Sequence, residues 1–366
     1  MSAIIRPTLV LDKEVCLRNI ERMAKKAANH KMRFRPHFKT HQSAKIGEWF
    51  REFGVEAITV SSVQMAEYFA ANGWKDITVA FPLNILEIEN INRLAAKIKL
   101  HVLVENTEAA VFLAEKVSHQ LGVWIKIDSG NNRTGIEPAN TSLITEIIGE
   151  IIKSDNLRFK GFLTHTGNTY SASSTDEIFS RHFDALLKLK SLKQKYKSAY
   201  PEIEISIGDT PAAALCTTFK GVDEIRPGNF VFYDLMQQNL GVCSFNDIAV
   251  RMVCPVVAKH LLRNEIVING GAVHFSREEI TNIDGKSMFG RVIIYKNGKK
   301  IMLDPMNYLS KLSQEHGIIK VAQKQFKNFN IGDLVEIIPV HSCLTANLMG
   351  HYLTKDGELI EMMPKY

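Results

Sequence analysis

Short apolar and β-branched runs alternate with longer stretches of helical period along the first two thirds of the chain. The short runs predict strands because Val, Ile, Phe and Thr recur in compact blocks that are bounded by polar turns. The predicted strands lie at 33–37, 57–61, 76–81, 99–104, 123–128, 159–164, 203–207 and 222–226. Eight strands separated by helices over about 230 residues predict a (β/α)8 barrel.

The intervening stretches support this interpretation. Apolar residues recur with a helical period over 12–30, 107–120 and 174–196. Asp12, Thr107 and Thr175 stand near the starts of these stretches and are residue types that cap helix N-termini. A Gly-x-Gly-x-x-Gly motif does not follow the first predicted strand, which argues against a dinucleotide-binding doubly wound sheet.

The pattern changes after Tyr233. Alternating apolar runs joined by Asn-Gly and Gly-Asp turns replace the helices and predict antiparallel strands. These runs lie at 248–261, 265–270, 289–303 and 332–345. We therefore predict a barrel domain over 10–238 and a second, mostly β domain over 239–366. Residues 1–9 are assigned to the second domain because the first barrel helix begins only near Asp12.

Composition and charge narrow the function classes. The chain has 366 residues, 45% hydrophobic and 23% charged, with a formal net charge of +6 whose lysines alternate with carboxylates. A nucleic-acid-binding surface would gather positive charge into a stripe, which this sequence lacks. The five cysteines form no CxxC pair, which argues for a reducing compartment. Neither a signal peptide nor an apolar span long enough for a bilayer is evident, so we expect a cytoplasmic protein without membrane contact.

The candidate chemistry lies at the predicted strand ends, where barrel enzymes place their active sites. Two of these segments, GDTP at 208–211 and RPGN at 226–229, are of a type that binds phosphate. GDTP also combines glycine with a predicted helix start, where backbone N–H groups suit a phosphate group. Lys39 follows the first predicted strand. A lysine and a phosphate-binding loop on one barrel face predict pyridoxal 5′-phosphate, whose aldehyde forms a Schiff base with lysine.

Several motifs resemble one enzyme family in the same order along the chain. The segment RPHFKTHQ resembles the cofactor-lysine motif of the D-serine dehydratase and D-threonine aldolase family. KIDSGNNRTGI is similar to the Asp-x-Gly-x-x-Arg-x-Gly segment of the wider superfamily. EIRPGNFVFYD resembles the phosphate-loop strand of that superfamily, and PVHSCLTANL resembles the metal motif of the dehydratases. The resemblance implies a fold-type III pyridoxal-phosphate enzyme, an alanine-racemase-like barrel followed by a mostly β domain.

The resemblance also implies roles for individual residues. Lys39 matches the Schiff-base lysine and α-proton base, and Tyr170 matches an active-site tyrosine. Arg133 matches an arginine that contacts the phenolic oxygen of the cofactor, and Arg226 one near its pyridine nitrogen. The remaining matches bind the ring or the phosphate: His165, Gly208, Asp209, Thr210, Gly228 and Asn229. The family often has a histidine at the position of Asn168 in this chain, so the resemblance implies no role for Asn168.

His341 and Cys343 are the candidate metal ligands. They stand at i and i+2 on a predicted strand, so both side chains should project from one face. An imidazole and a thiolate together favour Zn²⁺. In the aldolases of the family an aspartate replaces the cysteine and suits Mn²⁺ or Mg²⁺ better, so the cysteine favours the dehydratases.

These observations predict a pyridoxal-phosphate- and zinc-dependent dehydratase. Its substrate would be D-serine or a related small D-β-hydroxy amino acid, and its products a 2-oxo acid and ammonia. A metal-dependent D-threonine aldolase is the main alternative; an amino-acid racemase and a non-catalytic pyridoxal-phosphate-binding protein are others. The family resemblance further implies a homodimer.

Overall fold

The computed structural model describes residues 4–296, 299–302 and 306–365. Its strands β1 to β20, in chain order, are Thr8–Leu11, Arg33–Phe34, Ala57–Val60, Asp76–Pro82, Lys99–Val104, Leu121–Lys126, Leu157–Thr164, Glu204–Ile207, Glu224–Ile225, Val250–His260, Glu265–Asn269, Ile280–Thr281, Ser287–Met288, Gly290–Lys296, Lys299–Met302, Tyr308–Leu312, His316–Lys320, Leu334–Pro339, His351–Thr354 and Leu359–Glu361. The helices α1 to α11 are Lys13–Asn29, Ala44–Arg51, Val63–Ala71, Ile88–Ala95, Thr107–Lys116, Thr141–Ile151, Thr175–Tyr196, Thr210–Leu215, Leu235–Asn239, Ala272–Phe275 and Ser342–Met349.

The chain divides into two compact units. The barrel unit comprises Ile20–Lys39 and Ile46–Phe230. The sheet unit comprises Met1–Asn19, Thr40–Lys45 and Val231–Tyr366. The domain boundary that the sequence predicts, between 238 and 239, stays a prediction.

The barrel unit contains eight parallel strands in the order β2-β9-β8-β7-β6-β5-β4-β3. A single bridge between His37 and Thr59 joins the two ends of this sheet, so the barrel is nearly closed. The strand predicted at 33–37 is reduced to Arg33–Phe34 because Pro36 has no N–H to donate to a neighbouring strand. The predicted (β/α)8 architecture is confirmed.

The interior of the barrel contains an apolar cluster and a charged one. Leu103, Trp124 and Leu163 form a buried apolar cluster. Elsewhere the guanidinium of Arg35, which is fully buried, donates to Glu224 Oε2 at 2.7 Å and to Asp76 Oδ1 at 2.5 Å. Removing one member of such a buried pair leaves an uncompensated charge. These three residues therefore fix β2, β4 and β9 to one another.

The helix starts correct two sequence predictions. Asp12 Oδ1 accepts from Val15 N at 3.2 Å, so the predicted cap of α1 is confirmed. Thr107 and Thr175 are wrong as caps, because each is the first residue inside its helix. The capping acceptors are one position earlier, where Asn106 and Ser174 adopt the extended backbone that a cap requires.

The sheet unit is built on a mixed but largely antiparallel sheet. Its strand order is β11-β17-β16-β14-β18-β10-β1-β19-β20, and β15 pairs with β14. β1 lies between β10 and β19, with Leu9 opposite Met252. The turn predicted at 297–298 lies outside the described residues. Across the ranges that the structure describes, the helices lack the combined length and apolar character needed to cross a bilayer.

The segment that carries His341 and Cys343 also differs from expectation. The predicted strand over 332–345 ends at Pro339, and α11 begins at Ser342. Ser342 N donates to Asp234 Oδ2 at 3.0 Å, so a side chain 108 residues away satisfies the first N–H of the helix. The strand geometry predicted for His341 and Cys343 is therefore wrong: the two residues lie at the start of a helix.

Candidate active site

The loop after β2 presents Lys39 on a fixed backbone. His37 N donates to Pro227 O at 2.9 Å, and Phe38 N donates to Thr59 O at 2.8 Å. The Phe38 ring is fully buried and packs against three aromatic rings at centroid distances of 4.9, 5.0 and 5.1 Å, those of Phe50, Phe69 and Trp74. Lys39 itself is exposed. The loop therefore anchors the preceding residues and leaves the lysine side chain accessible.

The loop after β6 holds Arg133 through a network of backbone contacts. Asp128 Oδ1 accepts from the N–H groups of Gly130, Asn131 and Asn132 at 2.9, 2.9 and 3.2 Å. Gly135 has φ +111°, and a Cβ there would lie 2.6 Å from Asp128 N. Glycine is therefore required where the end of this loop passes close to the backbone of Asp128. The carboxylate thus sets the shape of the loop that presents Arg133.

The loops after β7 and β8 are joined through their side chains. His165 Nδ1 lies 2.5 Å from Gly208 O, and the His165 and Tyr170 ring centroids are 6.2 Å apart. Tyr170 OH accepts from Thr210 N at 3.3 Å. These contacts bring four of the predicted cofactor residues together.

Asp209 fixes the start of α8. Its Oδ1 accepts from Ala212 N at 2.6 Å, and its Oδ2 accepts from the hydroxyl of Thr166. The hydroxyl of Thr210 accepts from Phe230 N at 3.2 Å, which joins this loop to the segment carrying Gly228 and Asn229. The two predicted phosphate loops are therefore adjacent.

Arg226 is buried beneath these loops with two of its nitrogens bonded. Nε donates to Ser206 Oγ at 2.7 Å, and Nη2 donates to Thr164 O at 2.5 Å. Ser206 Oγ in turn donates to Glu224 Oε1 at 2.6 Å. Burial lowers the pKa of Arg226 to about 10, although Glu224 opposes the shift, so the guanidinium keeps its charge near neutral pH.

Four cationic side chains lie near these loops. We call Lys39, Lys126, Arg133 and Arg226 the cationic cluster. Burial lowers the pKa of His165 well below its usual value, and Lys39, Lys126 and Arg133 add to the effect. Burial, followed by Arg226 and Arg133, also lowers the pKa of Lys126 to about 7.

Burial also shifts the pKa of two other groups near these loops. The pKa of His37 is lowered well below its usual value by burial, then by Lys39 and Arg226. Burial raises the pKa of Asp209 to about 6 despite its hydrogen bonds. Of the cationic cluster, Lys126 and Arg226 are buried and Lys39 and Arg133 are exposed. A phosphate-bearing aldehyde such as pyridoxal 5′-phosphate fits an accessible lysine amine beside cationic donors.

The candidate metal ligands lie in the sheet unit. His341 Nδ1 lies 3.2 Å from Asp234 Oδ2, and its imidazole also contacts the Cys343 side chain. Thr40 Oγ1 lies 3.3 Å from Cys343 Sγ. Burial lowers the pKa of His341, but the charges of Cys343 and Asp234 outweigh it and raise the pKa well above its usual value.

These residues fit a zinc ion with open coordination positions. Imidazole and thiolate are both zinc ligands, and the carboxylate behind the imidazole is the usual partner of a metal-binding histidine. Among the described residues, His, Cys, Asp and Glu do not gather into a group of three or more that could hold a metal ion. A metal here would therefore have two protein ligands.

Four residues of these sites escaped the sequence predictions: Lys126, Ser206, Asp234 and Thr40. Lys126 carried a usable signal, because it is a charged residue inside the otherwise apolar strand β6. Asp234 and Thr40 act through side chains distant in the sequence, and adjacency along the chain does not reveal such pairings. The predicted residues of the barrel unit, by contrast, are brought together.

Known proteins resemble this chain along nearly its whole length. Residues 11–235 match the family described as "Alanine racemase, N-terminal domain", and residues 249–354 match the "Putative serine dehydratase domain". The D-threo-3-hydroxyaspartate dehydratase of Delftia sp. (strain HT23) is 29% identical over 96% of this chain and 95% of its own. The D-serine dehydratase of Dictyostelium discoideum is 28% identical over 96% and 94%.

A solved structure is similar over the same extent. It is a D-threo-3-hydroxyaspartate dehydratase, a cysteine-to-alanine mutant in the metal-free form, with a TM-score of 0.90, 27% identity and 98% coverage of both chains. Its barrel and second domain therefore have the same fold as the two units of this chain.

Proposed function

Because the chain belongs to the family of the alanine racemase N-terminal domain, we propose that it is a pyridoxal-phosphate- and zinc-dependent dehydratase of D-serine or a related D-β-hydroxy amino acid. The reaction converts the substrate to a 2-oxo acid and ammonia. The observation that carries the proposal is the cationic cluster around an accessible lysine, Lys39. Relatives named as dehydratases over nearly the full chain support the same reaction.

The barrel unit would hold the cofactor. Lys39 would bind its aldehyde, and the loops at 208–210 and 228–229 would bind its phosphate through Gly208, Asp209, Thr210, Gly228 and Asn229. Asp209 contributes by fixing the start of α8, where backbone N–H groups accumulate. Arg133, His165, Tyr170 and Arg226 would surround the ring.

The chain's own residues would then move the protons. Pyridoxal phosphate, when bound, supplies an electron sink that makes the α-hydrogen of an amino acid acidic. The amine of Lys39 takes this α-proton as a general base. His165 stays neutral near pH 7, since its pKa is lowered well below the usual value by burial and by nearby cations, so it adds no further charge beside the ring.

The sheet unit would supply the metal ligands. His341 and Cys343 would hold a zinc ion, and the chemistry that such an ion would supply is that of a Lewis acid for a leaving hydroxyl group. A relative whose cysteine mutant is described as metal-free supports a metal in this family. The predicted homodimer and cytoplasmic location are parts of the same proposal.

A substrate panel tests the reaction. Purified protein with pyridoxal phosphate and Zn²⁺ would be given D-serine, D-threonine and D-threo-3-hydroxyaspartate, with L-serine as the matched control. We expect 2-oxo acid and ammonia in equal amounts from at least one D-substrate and none from L-serine. Glycine plus an aldehyde would instead establish the aldolase reaction, and α-proton exchange without cleavage would establish a racemase.

A further inference from the structure

Asp234 is fully buried in the sheet unit and forms contacts in two directions. Its Oδ1 accepts from Gln237 N at 3.0 Å, which caps α9. Its Oδ2 accepts from Ser342 N at 3.0 Å and lies 3.2 Å from His341 Nδ1. One carboxylate is thus both a helix cap and the partner of an imidazole that we assign to the metal.

The backbone around this carboxylate is fixed on both sides. Met236 N donates to Val340 O at 3.1 Å, which ties the start of α9 to the segment before α11. His341 O accepts from Thr345 N at 3.3 Å and from Thr345 Oγ1 at 3.1 Å. The backbone of His341 is therefore fixed, and its ring contacts two side chains, those of Asp234 and Cys343.

The residue before Asp234 has an uncommon backbone conformation. Tyr233 has φ +47°, a left-handed conformation that aromatic residues rarely adopt, and it is buried. This turn of the chain allows Asp234 to begin α9 while its carboxylate reaches Ser342 and His341. A strained position is retained more readily when it serves a site.

We propose that Asp234 is the positioning residue of the metal site. It accepts the Nδ1 proton of His341 and thereby leaves Nε2 of the ring as the nitrogen that binds zinc beside Cys343. A carboxylate in this role fixes the tautomer and orientation of the ring and increases its basicity as a ligand. The inference rests on the proposed zinc site of His341 and Cys343.

The two functions of Asp234 can be separated by substitution. Serine is a good helix cap, so Asp234→Ser keeps an acceptor for Gln237 N but is too short to contact His341. Asp234→Asn keeps the length but puts an uncharged amide where Ser342 N donates and His341 Nδ1 lies within 3.2 Å. Asp12→Asn is the matched control, because Asp12 is also a largely buried capping carboxylate of the sheet unit.

The experiment measures zinc affinity rather than turnover. Each cofactor-loaded variant would be titrated with Zn²⁺ against a competing chelator, and with Co²⁺, whose visible spectrum reports ligand geometry. We expect both Asp234 variants to bind Zn²⁺ about 10- to 100-fold more weakly than wild type, with an altered Co²⁺ spectrum. Asp12→Asn should bind as wild type does.

The outcomes separate the two proposals. If wild type and His341→Ala bind Zn²⁺ equally weakly, the proposed metal site itself is wrong. If wild type binds tightly, His341→Ala does not, and either folded Asp234 variant keeps wild-type affinity and the wild-type Co²⁺ spectrum, Asp234 is only a helix cap. Circular dichroism and retention of the cofactor absorbance identify the folded variants.

Discussion

The barrel unit and the sheet unit surround their candidate ligand residues with opposite charge. In the barrel unit, burial and the cationic cluster lower the pKa of His165 well below its usual value. In the sheet unit, Cys343 and Asp234 raise the pKa of His341 well above it, although burial alone would lower it. Two mostly buried histidines of one chain therefore shift in opposite directions, and the sign follows from their charged neighbours.

This contrast matches the charge of the group that each unit would bind. Four cationic side chains, two of them buried, favour an anion such as a phosphate monoester. A thiolate, an imidazole and a buried carboxylate favour a cation. Electrostatic attraction thus favours the cofactor in the barrel unit and the metal in the sheet unit. Each of these two assignments can be tested separately.

The largest expected effect comes from removing the lysine that would bind the cofactor. Lys39→Ala should lower the rate of 2-oxo acid formation at least about 10⁴-fold, because both the covalent link and the base are lost. Borohydride treatment of the wild type should fix the cofactor on the peptide containing Lys39. Lys45→Ala is the control, since Lys45 forms an exposed ion pair with Glu358 at 3.1 Å. A fixed peptide without Lys39 contradicts the assignment.

The second effect concerns the metal. Chelation should reduce elimination at least about 10³-fold, because the β-hydroxyl loses its Lewis acid. The cofactor absorbance should remain, since the residues proposed to hold the cofactor belong to the barrel unit and do not include His341 or Cys343. Zn²⁺ should restore the rate, and Mn²⁺ should restore less at a thiolate ligand. The proposed role of the metal in elimination is wrong if exhaustively demetallated enzyme keeps its full rate.

More of the candidate cofactor site than of the candidate metal site could be predicted from the sequence. In a barrel, the ends of all strands meet on one face, so Lys39, His165 and Arg226 could be grouped from strand order alone. At the metal site, strand periodicity misplaced His341 and Cys343, because the start of α11 is stabilised by the distant carboxylate of Asp234. Contacts between side chains far apart in sequence were the part that patterns could not supply.

Smaller errors have equally specific causes. The caps of α5 and α7 lie one residue before the predicted ones, since Asn106 and Ser174 offer the same acceptor chemistry as the threonines that follow them. Lys126 went unnoticed because periodicity treats a charged residue in an apolar strand as an interruption. Its lowered pKa follows from burial and from neighbours on other strands and loops.

The third effect concerns the charge of Lys126 and its influence on stability. Lys126 has its pKa lowered to about 7 by burial, Arg226 and Arg133. The charged form of Lys126 therefore destabilises the folded protein. This loss of stability is fully present below pH 7, and it disappears as the pH rises toward 10.5, the pKa of the lysine in the unfolded chain. Lys126→Met should stabilise the cofactor-free protein by roughly 2–4 kcal/mol at pH 6 and by much less at pH 10.

Chemical denaturation of the cofactor-free protein at both pH values measures this difference. Lys153→Met is the control, because Lys153 is exposed on the surface and pairs with Glu150. Equal stabilisation of the Lys126 variant at pH 6 and pH 10 would mean that packing, not charge, governs this position. The cationic cluster would then carry less unfavourable charge than the depressed pKa values indicate.

The smallest effect concerns the neighbour of the candidate thiolate ligand. Thr40 directly follows Lys39 in the sequence, is fully buried, and places Oγ1 3.3 Å from Cys343 Sγ. A hydroxyl that donates to a thiolate fixes its orientation, so Thr40→Val should weaken Zn²⁺ binding by about 3- to 10-fold. Thr40→Ser keeps the hydroxyl and should bind Zn²⁺ nearly as wild type does.

Because the substitution lies next to the proposed cofactor lysine, the cofactor absorbance must be followed in the same titration. Weaker Zn²⁺ binding with unchanged absorbance places the effect in the metal half, whereas loss of cofactor with unchanged Zn²⁺ affinity would show that Thr40 supports Lys39 instead.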